Sequence, residues 1–306
     1  MPLIEAIILA VLAASTPLLI AAAGELVTER SGVLNLGVEG MMIMGAACGF
    51  VGAYVTGSTL IGAVCGVIAG VLMSTIFAAL TLWLAVNQVA TGLALTILGV
   101  GLSGLIGAAF VGERIVSAPP LDLPGLTSLP FVGRIVFGQN AFVYGSLALV
   151  VAIWWFLYRT RQGLVLRAVG DKHQSAHALG YPVLRIRLLA VMFGGACAGL
   201  AGAYLSLAYT PFFVSGMTAG RGWIALALVV FASWRLGRLV VGAYLFGAVT
   251  ILQLHAQGAG FGIPPQLMSA LPYIATIVVL VLISRTRATS GASAPASLGM
   301  PFVPDR

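Results

Sequence analysis

The chain has 306 residues, of which 60% are hydrophobic and only 8% are charged, and its mean hydropathy is +1.09. Soluble domains carry about 25% charged residues, so a chain with a third of that proportion cannot cover its own surface with polar groups. The composition therefore excludes a soluble enzyme. It also argues against a nucleic-acid-binding role for the net charge of +7, because lipid is the expected surrounding of most of the chain.

Long charge-free runs predict an all-α integral membrane protein, a polytopic bundle of about nine transmembrane helices with a range of eight to ten. The longest such interval, 40–112, would form about 110 Å of helix, enough for three crossings of a core about 30 Å thick. Breaks at Thr56–Thr59 and at the polar pair Asn87 and Gln88 divide it. The other spans are expected at 6–24, 135–158, 188–209 and from Met217 to Trp234, with two more within 239–283, on either side of Gly258–Pro265.

The distribution of basic residues orients this bundle. The loop between the fifth and sixth spans holds six of the 15 Lys and Arg residues, so it is placed in the cytoplasm. Alternation of the spans then puts twelve basic residues inside, with only Arg114, Arg134 and Arg221 outside. The expected topology has the N-terminus outside and the C-terminus in the cytoplasm. Residues 1–287 would form the transmembrane domain, and residues 288–306, rich in Ala, Ser and Pro, a disordered tail.

Glycines recur at four-residue intervals inside the predicted spans. Such ridges let helix backbones approach closely in lipid, where the hydrophobic effect does not drive association. Packing within one subunit is the favoured interpretation, ahead of a dimer interface. The ridges comprise Gly62, Gly66 and Gly70, the pair Gly45 and Gly49, and the pair Gly195 and Gly199.

Motifs for enzymatic chemistry are missing from the sequence. The single lysine, Lys172, lacks the glycine-rich lead-in of a Walker A motif. Gly99, Gly101 and Gly104 spell a dinucleotide-binding pattern, but they lie inside a span, where helix packing explains them. We therefore expect a transport subunit that is not an enzyme, without a cofactor of its own. Any ATP–Mg would be bound by partner subunits.

The sequence also offers no convincing metal site. His173 and His177 stand four residues apart on a predicted helix face, a spacing that could hold a metal. Without a third ligand nearby, a solvated face is the favoured interpretation. The cysteines, Cys48, Cys65 and Cys197, lie in apolar runs and are expected to be small packing residues.

Ionisable side chains interrupt the apolar pattern between Gly24 and Met42. For Glu25, Glu29 and Arg30 a cytoplasmic turn is the expected explanation, because ionisable groups inside the membrane are costly. Asn35 and Glu39 lie four residues apart and so share a face at the start of the second span. They are candidates for lining a polar path through the bundle.

The cytoplasmic segment 159–187 has more than the charge of an ordinary inside loop. Its middle predicts a short amphipathic helix with Ala176, Leu179 and Val183 on one side, and Gly170 and Gly180 at its ends. An apolar stripe of this kind is typical of a docking element.

Three stretches resemble the permeases of ABC importers of the branched-chain amino acid and ribose type. Their residues are most similar to those of the nucleoside and simple-sugar branch. They are ERSGVLNLGVEGMMIMGA from Glu29, RAVGDKHQSAHALGYPV from Arg167 with GGACAGLAGAYLSL after it, and GRGWIALALVVFASWRLGRLVVGAYLFG from Gly220. The sequence departs from many relatives after Trp234, where Leu236 and Gly237 stand in place of a proline-containing turn.

This resemblance implies a subunit of a larger importer in the bacterial inner membrane. The partners would be a second permease subunit, cytoplasmic ATP-binding subunits and an extracytoplasmic solute-binding protein. The residues that would fall in the segment docking on the ATPase are Arg167, Gly170, Asp171, Ala176 and Gly180.

A nucleoside or sugar is neutral and rich in hydrogen-bonding groups, so its path needs polar side chains without strong charge. The candidates are Asn35, Glu39, Asn87 and Gln88, with Trp223 for stacking. Two transport alternatives stay open: a self-sufficient secondary carrier or channel for a small polar solute, and an ABC permease for branched-chain amino acids. A carrier would need an intramembrane carboxylate or histidine relay, and among the spans only Glu39 qualifies.

Overall fold

The computed structural model describes residues 3–121, 127, 132–258 and 294–303, together with six isolated positions between 258 and 294. Every regular element in these residues is helical, and β-structure there is limited to two isolated bridges, Arg114 with Phe212 and Pro120 with Asn140. The prediction of an all-α fold is confirmed for these residues.

Eleven α-helices are described, and short π-helical or 3₁₀ turns extend three of them. The α-helices are α1 Leu3–Arg30, α2 Val38–Thr56, α3 Thr59–Ala78, α4 Gln88–Gly107, α5 Val132–Phe137, α6 Ala141–Arg159, α7 Arg161–Asp171, α8 His173–Ala178, α9 Val183–Tyr204, α10 Arg221–Phe231 and α11 Leu236–Gly258. The extensions are Ala79–Trp83 after α3, Ala108–Phe110 after α4 and Leu205–Tyr209 after α9.

Seven of these helices are long and apolar enough to cross a membrane: α1, α2, α3, α4, α6, α9 and α11. They correspond to the first six predicted spans and to the eighth. The seventh, expected from Met217, is replaced by α10, whose 11 residues reach only about 16 Å. The ninth lies largely outside the described residues. The described part of the chain thus shows seven candidate spans, and a total of nine is not confirmed.

Helices α2, α3 and α9 pack through the predicted glycine ridges. A Cβ atom added to Gly45 would lie 2.3 Å from the Gly199 carbonyl oxygen, and one added to Gly70 would lie 2.1 Å from that of Gly195. Similarly, a Cβ at Gly66 would lie 2.9 Å from the Gly45 carbonyl oxygen. Only glycine permits these approaches, so the ridges serve packing within one subunit as predicted.

Helix α1 lies at the centre of the bundle and packs against α6, α9, α10 and α11. Helices α4 and α6 instead present apolar side chains outward, among them Ile97 and Leu105 on α4 and Val151 on α6. Such faces suit contact with lipid tails or with another membrane subunit. The three cysteines are free, as expected.

Candidate functional site

Residues 31–37 form an unwound connection between α1 and α2 that is buried inside the bundle. Gly32, with φ of +89°, ends α1. Three amides of the connection have no helical partner and donate to side chains instead. Leu34 N donates to Gln88 Oε1 (2.8 Å), Asn35 N to Glu25 Oε1 (3.3 Å) and Gly37 N to Asn35 Oδ1 (3.0 Å). Buried backbone amides outside a helix need such partners.

The side chain of Glu39, in the first turn of α2, caps the N-terminus of α10. Its Oε1 accepts hydrogen bonds from Thr218 Oγ1 (2.6 Å) and Gly220 N (2.9 Å), and its Oε2 accepts one from Gly222 N (2.6 Å). A carboxylate at this position also balances the positive end of the helix dipole. Gly222 must be small, because an added Cβ would lie 2.5 Å from the Glu39 Cα.

The segment before α10 explains why this helix starts late. Gly216, Ala219 and Gly220 all have positive φ, which prevents a helix from beginning at Met217. Arg221 is half-buried. It donates from Nη1 to the Met217 carbonyl (3.0 Å), and its guanidinium lies 5.5 Å from the centre of the Tyr209 ring.

Trp234, in the turn between α10 and α11, is hydrogen-bonded to the end of α1 through both its side chain and its backbone carbonyl. The Trp234 indole N–H donates to Glu29 Oε2, and the Trp234 carbonyl accepts from Arg30 Nε (3.2 Å) and Nη2 (2.7 Å). Ser233 and Trp234 have φ of +51° and +56°, values that L-residues adopt only when surrounding contacts hold them.

The expected cytoplasmic turn for Glu25 and Glu29 is wrong. Both lie on α1, with 1% and 0% of their surface exposed. Arg30 is the last residue of α1 and is half-buried. The helix continues past these two residues, and one oxygen of each carboxylate accepts a hydrogen bond inside the protein. The donors are Asn35 N for Glu25 and the Trp234 indole for Glu29. An i, i+4 pair of glutamates in an otherwise apolar run was the available signal for such a buried site.

The candidate path residues fall into two groups. Asn35, Glu39 and Gln88 are buried, and their contacts shape the unwound connection and the start of α10. Asn87 is exposed and caps α4 by accepting from Ala90 N (3.0 Å), while Trp223 is half-buried on α10. The structure brings Asn35 and Gln88 to the same short segment; contact of any of the five with a solute stays a prediction.

The segment 159–187 contains two helices, α7 and α8, broken at Lys172, where a single amphipathic helix was expected. Ala176 and Val183 are buried as predicted, but Leu179 is 77% exposed. Leu179 follows the last residue of α8, so the helical periodicity no longer applies to it. Gly180 has φ of +84° and open space around it, so its conformation explains the glycine.

Helix α7 touches the end of α1 at Gly170. A Cβ there would lie 2.1 Å from the Arg30 carbonyl oxygen, so this contact requires glycine. Arg167 is half-buried, with its guanidinium 5.3 Å from the centre of the Tyr158 ring, and Asp171 is exposed. The five predicted docking residues therefore divide into an inner face, Gly170 and Ala176, and outer or partly exposed positions.

Residues 294–303, here called the C-terminal strap, pack on this segment, and the rest of the predicted tail, 288–293 and 304–306, lies outside the described residues. Ser297 N donates to the Gly170 carbonyl (2.9 Å), and Gly299 N donates to the Gly32 carbonyl (3.1 Å). Arg187, fully buried, donates from Nη1 to the Met300 carbonyl (3.0 Å) and from Nε to the Ser31 carbonyl (3.2 Å). The strap thus connects α7, the α1–α2 connection and α9.

Both histidines contact the strap, with His173 buried and His177 exposed. Both rings contact the Phe302 ring edge-on, at 5.3 Å between centroids. The solvated face expected for His173 is wrong: it is 9% exposed, and its Nδ1 accepts from Arg187 Nη2 at 3.2 Å. Burial and the neighbouring Arg187 charge lower the pKa of His173. Among the described residues, no three His, Cys, Asp or Glu side chains are placed to hold a metal ion.

Comparison with known proteins gives a match along nearly the whole chain. A family model described as the permease component of the branched-chain amino acid transport system matches residues 7–280. The putative glucose ABC transporter permease protein TsgC13 of Haloferax volcanii is 44% identical over 289 residues, 87% of this chain and 88% of that protein. The nucleoside ABC transporter permease protein NupC of Lactococcus lactis is 31% identical over 88% of this chain and 89% of its own length. The guanosine ABC transporter permease protein NupQ of Bacillus subtilis is 30% identical over 98% of this chain and 97% of its own length. The resemblance inferred from the sequence motifs is confirmed.

Proposed function

This chain belongs to the family of permease components of branched-chain amino acid transport systems, and we propose that it is the membrane subunit of an ABC importer that translocates a nucleoside or a simple sugar. The observation that carries the proposal is the match, over 87% or more of the chain, to permeases named for glucose, nucleosides and guanosine. The seven long apolar helices agree with such a role.

The energy would come from partner subunits. ATP–Mg bound between two cytoplasmic ATP-binding subunits would draw them together, and the segment 159–187 would receive that motion. The contact of Gly170 with the Arg30 carbonyl supports this route, because displacement of α7 must shift the end of α1. The unwound connection 31–37 begins directly after Arg30, so the docking segment and the bundle interior are two coupled sites.

The path for the solute would run beside the unwound connection and the start of α10. Breaks between helices commonly form solute sites in transporters, because the free helix ends supply hydrogen-bonding groups. Both oxygens of Glu39 accept hydrogen bonds from the start of α10 and the turn before it, and the amide oxygen of Asn35 accepts one from Gly37 N. The proposed contribution of Asn35, Glu39 and Gln88 is therefore to shape this region, with Asn87 and Trp223 available to the solute.

The proposed assembly contains a second permease subunit, the ATP-binding subunits and an extracytoplasmic solute-binding protein in the cytoplasmic membrane. The outward apolar faces of α4 and α6 support contact with lipid and with another subunit. The strap packs on the segment 159–187, which supports a C-terminal segment on the cytoplasmic side. Seven candidate spans are described and the residues after Gly258 would supply one more, so a total of nine stays a proposal that requires α10, with the segment before it, to count as a crossing.

A self-sufficient carrier is the less favoured function. It needs an ionisable group in the membrane that is free to exchange its ligand or proton. Glu39, the residue that suggested this alternative, has both oxygens occupied by donors from α10 and the preceding turn. A carrier would instead have to use Glu25 and Glu29, which α1 buries with one hydrogen-bonded oxygen each. The relatives named as ABC transporter permeases favour the importer over that alternative.

The decisive experiment is uptake of radiolabelled guanosine, glucose, ribose and leucine by proteoliposomes that contain this chain, its partner permease, the ATP-binding subunits and the binding protein. We expect ATP-dependent uptake of guanosine or a sugar that disappears when this chain is omitted. Uptake without ATP would contradict the importer mechanism. ATP-dependent uptake of leucine alone would keep the mechanism and show the solute to be a branched-chain amino acid.

A further inference from the structure

The C-terminal strap is held in place by one buried aromatic ring. Phe302 is 7% exposed and packs on Val169, Ala176 and Val183 in addition to the two histidine rings. These contacts join α7, α8 and the start of α9. The hydrogen bonds of Ser297, Gly299 and Met300 fix the rest of the strap, so its outer surface has a defined position.

That outer surface is apolar. Met300 and Val303, on either side of Phe302, are 54% and 67% exposed. On the adjoining docking segment, Leu179 is 77% and Tyr181 41% exposed. Between the two sets, Tyr181 and the strap residue Phe302 line a groove of about 530 Å³. Its lining includes Trp83, Tyr181, Pro182, Leu184, Leu188 and Phe302.

The position of this surface indicates the kind of partner. The strap and residues 179–182 lie outside the seven candidate membrane spans, and Lys172 and Arg185 flank residues 179–182 in the chain. The groove lies where candidate spans end, since Trp83 is the last residue of one span and Val183 is the first of another. A contiguous apolar patch that faces water marks a protein interface.

We propose that the C-terminal strap and residues 179–182 form one continuous docking surface for the cytoplasmic ATP-binding subunit. This inference rests on the proposed function, because the segment 159–187 is the part of the chain expected to meet that subunit. Continuity with this segment selects the ATP-binding subunit over a second copy of this chain. The strap also reaches the Gly32 carbonyl and Arg187, so force applied to the surface passes directly to the α1–α2 connection and to α9.

Photocrosslinking in the complete transporter tests the surface. The photoreactive residue p-benzoylphenylalanine is placed singly at Val303, at Leu179 and at Val116, which is 88% exposed in the loop predicted to lie outside. We expect adducts with the ATP-binding subunit from positions 303 and 179 and none from 116. An adduct from 179 but not from 303 would overturn this inference and leave the proposed function standing. Absence of both adducts would count against the proposed function as well. Adducts of position 303 with a second copy of this chain, or with lipid alone, would also overturn the inference.

Substitutions in the strap provide a second test. Phe302→Ala should release the strap and reduce the adduct from position 303 while the adduct from 179 persists. Met300→Asp combined with Val303→Asp should lower ATP-driven uptake about tenfold, as expected for loss of interface anchors, with unchanged membrane insertion. Ala296→Asp, at another exposed position of the strap, is the matched control and should transport normally. Wild-type uptake in the double variant would overturn the docking role.

Discussion

Replacement of Glu39 by alanine should destabilise the bundle by removing the cap of α10. The carboxylate accepts three hydrogen bonds of 2.6, 2.9 and 2.6 Å from Thr218, Gly220 and Gly222. The Thr218 hydroxyl can rotate to another acceptor, but the two amides cannot. A buried donor left without a partner costs about 1–3 kcal/mol, so the expected loss is about 2–6 kcal/mol.

Glu39→Gln keeps one acceptor oxygen and turns the other towards the donors as an NH₂ group, so it should lose about half of this stability. The assay is thermal unfolding of the detergent-solubilised chain, followed by size exclusion, with uptake measured in parallel. Glu113→Ala removes an exposed carboxylate from the 111–120 loop and serves as the control.

The capping argument would be refuted if Glu39→Ala unfolded at the wild-type temperature. A distinct result would be a Glu39→Gln variant with normal unfolding and a raised KM for uptake. That outcome would show that Glu39 contacts the solute directly, as the sequence pattern suggested, and that its hydrogen bonds to α10 contribute little.

Three further predictions concern the docking segment, the glycine packing and the strap. Gly180→Ala should lower the free energy of unfolding by about 1 kcal/mol because of the positive φ, and it should lower ATP-driven uptake. Gly180→Asn is better tolerated in this conformation and should transport more. Equal uptake by the two variants would contradict the backbone argument. Gly199→Ala places a Cβ 2.2 Å from the Gly66 carbonyl oxygen and should lower the unfolding temperature. Gly101 has open space around it, so Gly101→Ala should not lower this temperature. Equal unfolding temperatures of the two variants would refute the ridge packing. The strap should loosen at acid pH, because the lowered pKa of His173 means that folding favours its neutral form. This stability is lost as the pH falls below about 6.5, the unfolded value. A fluorophore at position 303 would report the change, and His173→Gln should abolish it; an unchanged pH response in that variant would show that another group is responsible.

Much of the architecture followed from local chemistry that tertiary contacts do not alter. The cost of leaving polar groups in lipid makes a charge-free run of about 20 residues a helix in almost any context, so six spans and α11 were located before the structure. Glycines at four-residue spacing can only face one side of a helix, and Gly45, Gly70 and Gly199 are indeed where helices meet. The family also followed, because its motifs are continuous in the chain.

The contacts at the candidate site depend on which distant groups meet, and a linear pattern does not contain that information. Glu25 and Glu29 look costly in a span until Asn35 and Trp234 supply their donors. Glu39 looks available for a solute until Thr218 and the two amides of the α10 start, about 180 residues away, occupy its oxygens. Likewise, an Ala- and Ser-rich tail has the composition of a disordered segment, yet Phe302 finds an apolar recess and Arg187 a carbonyl acceptor. Composition and periodicity determine what each segment needs energetically, whereas only the folded arrangement determines which partner supplies it.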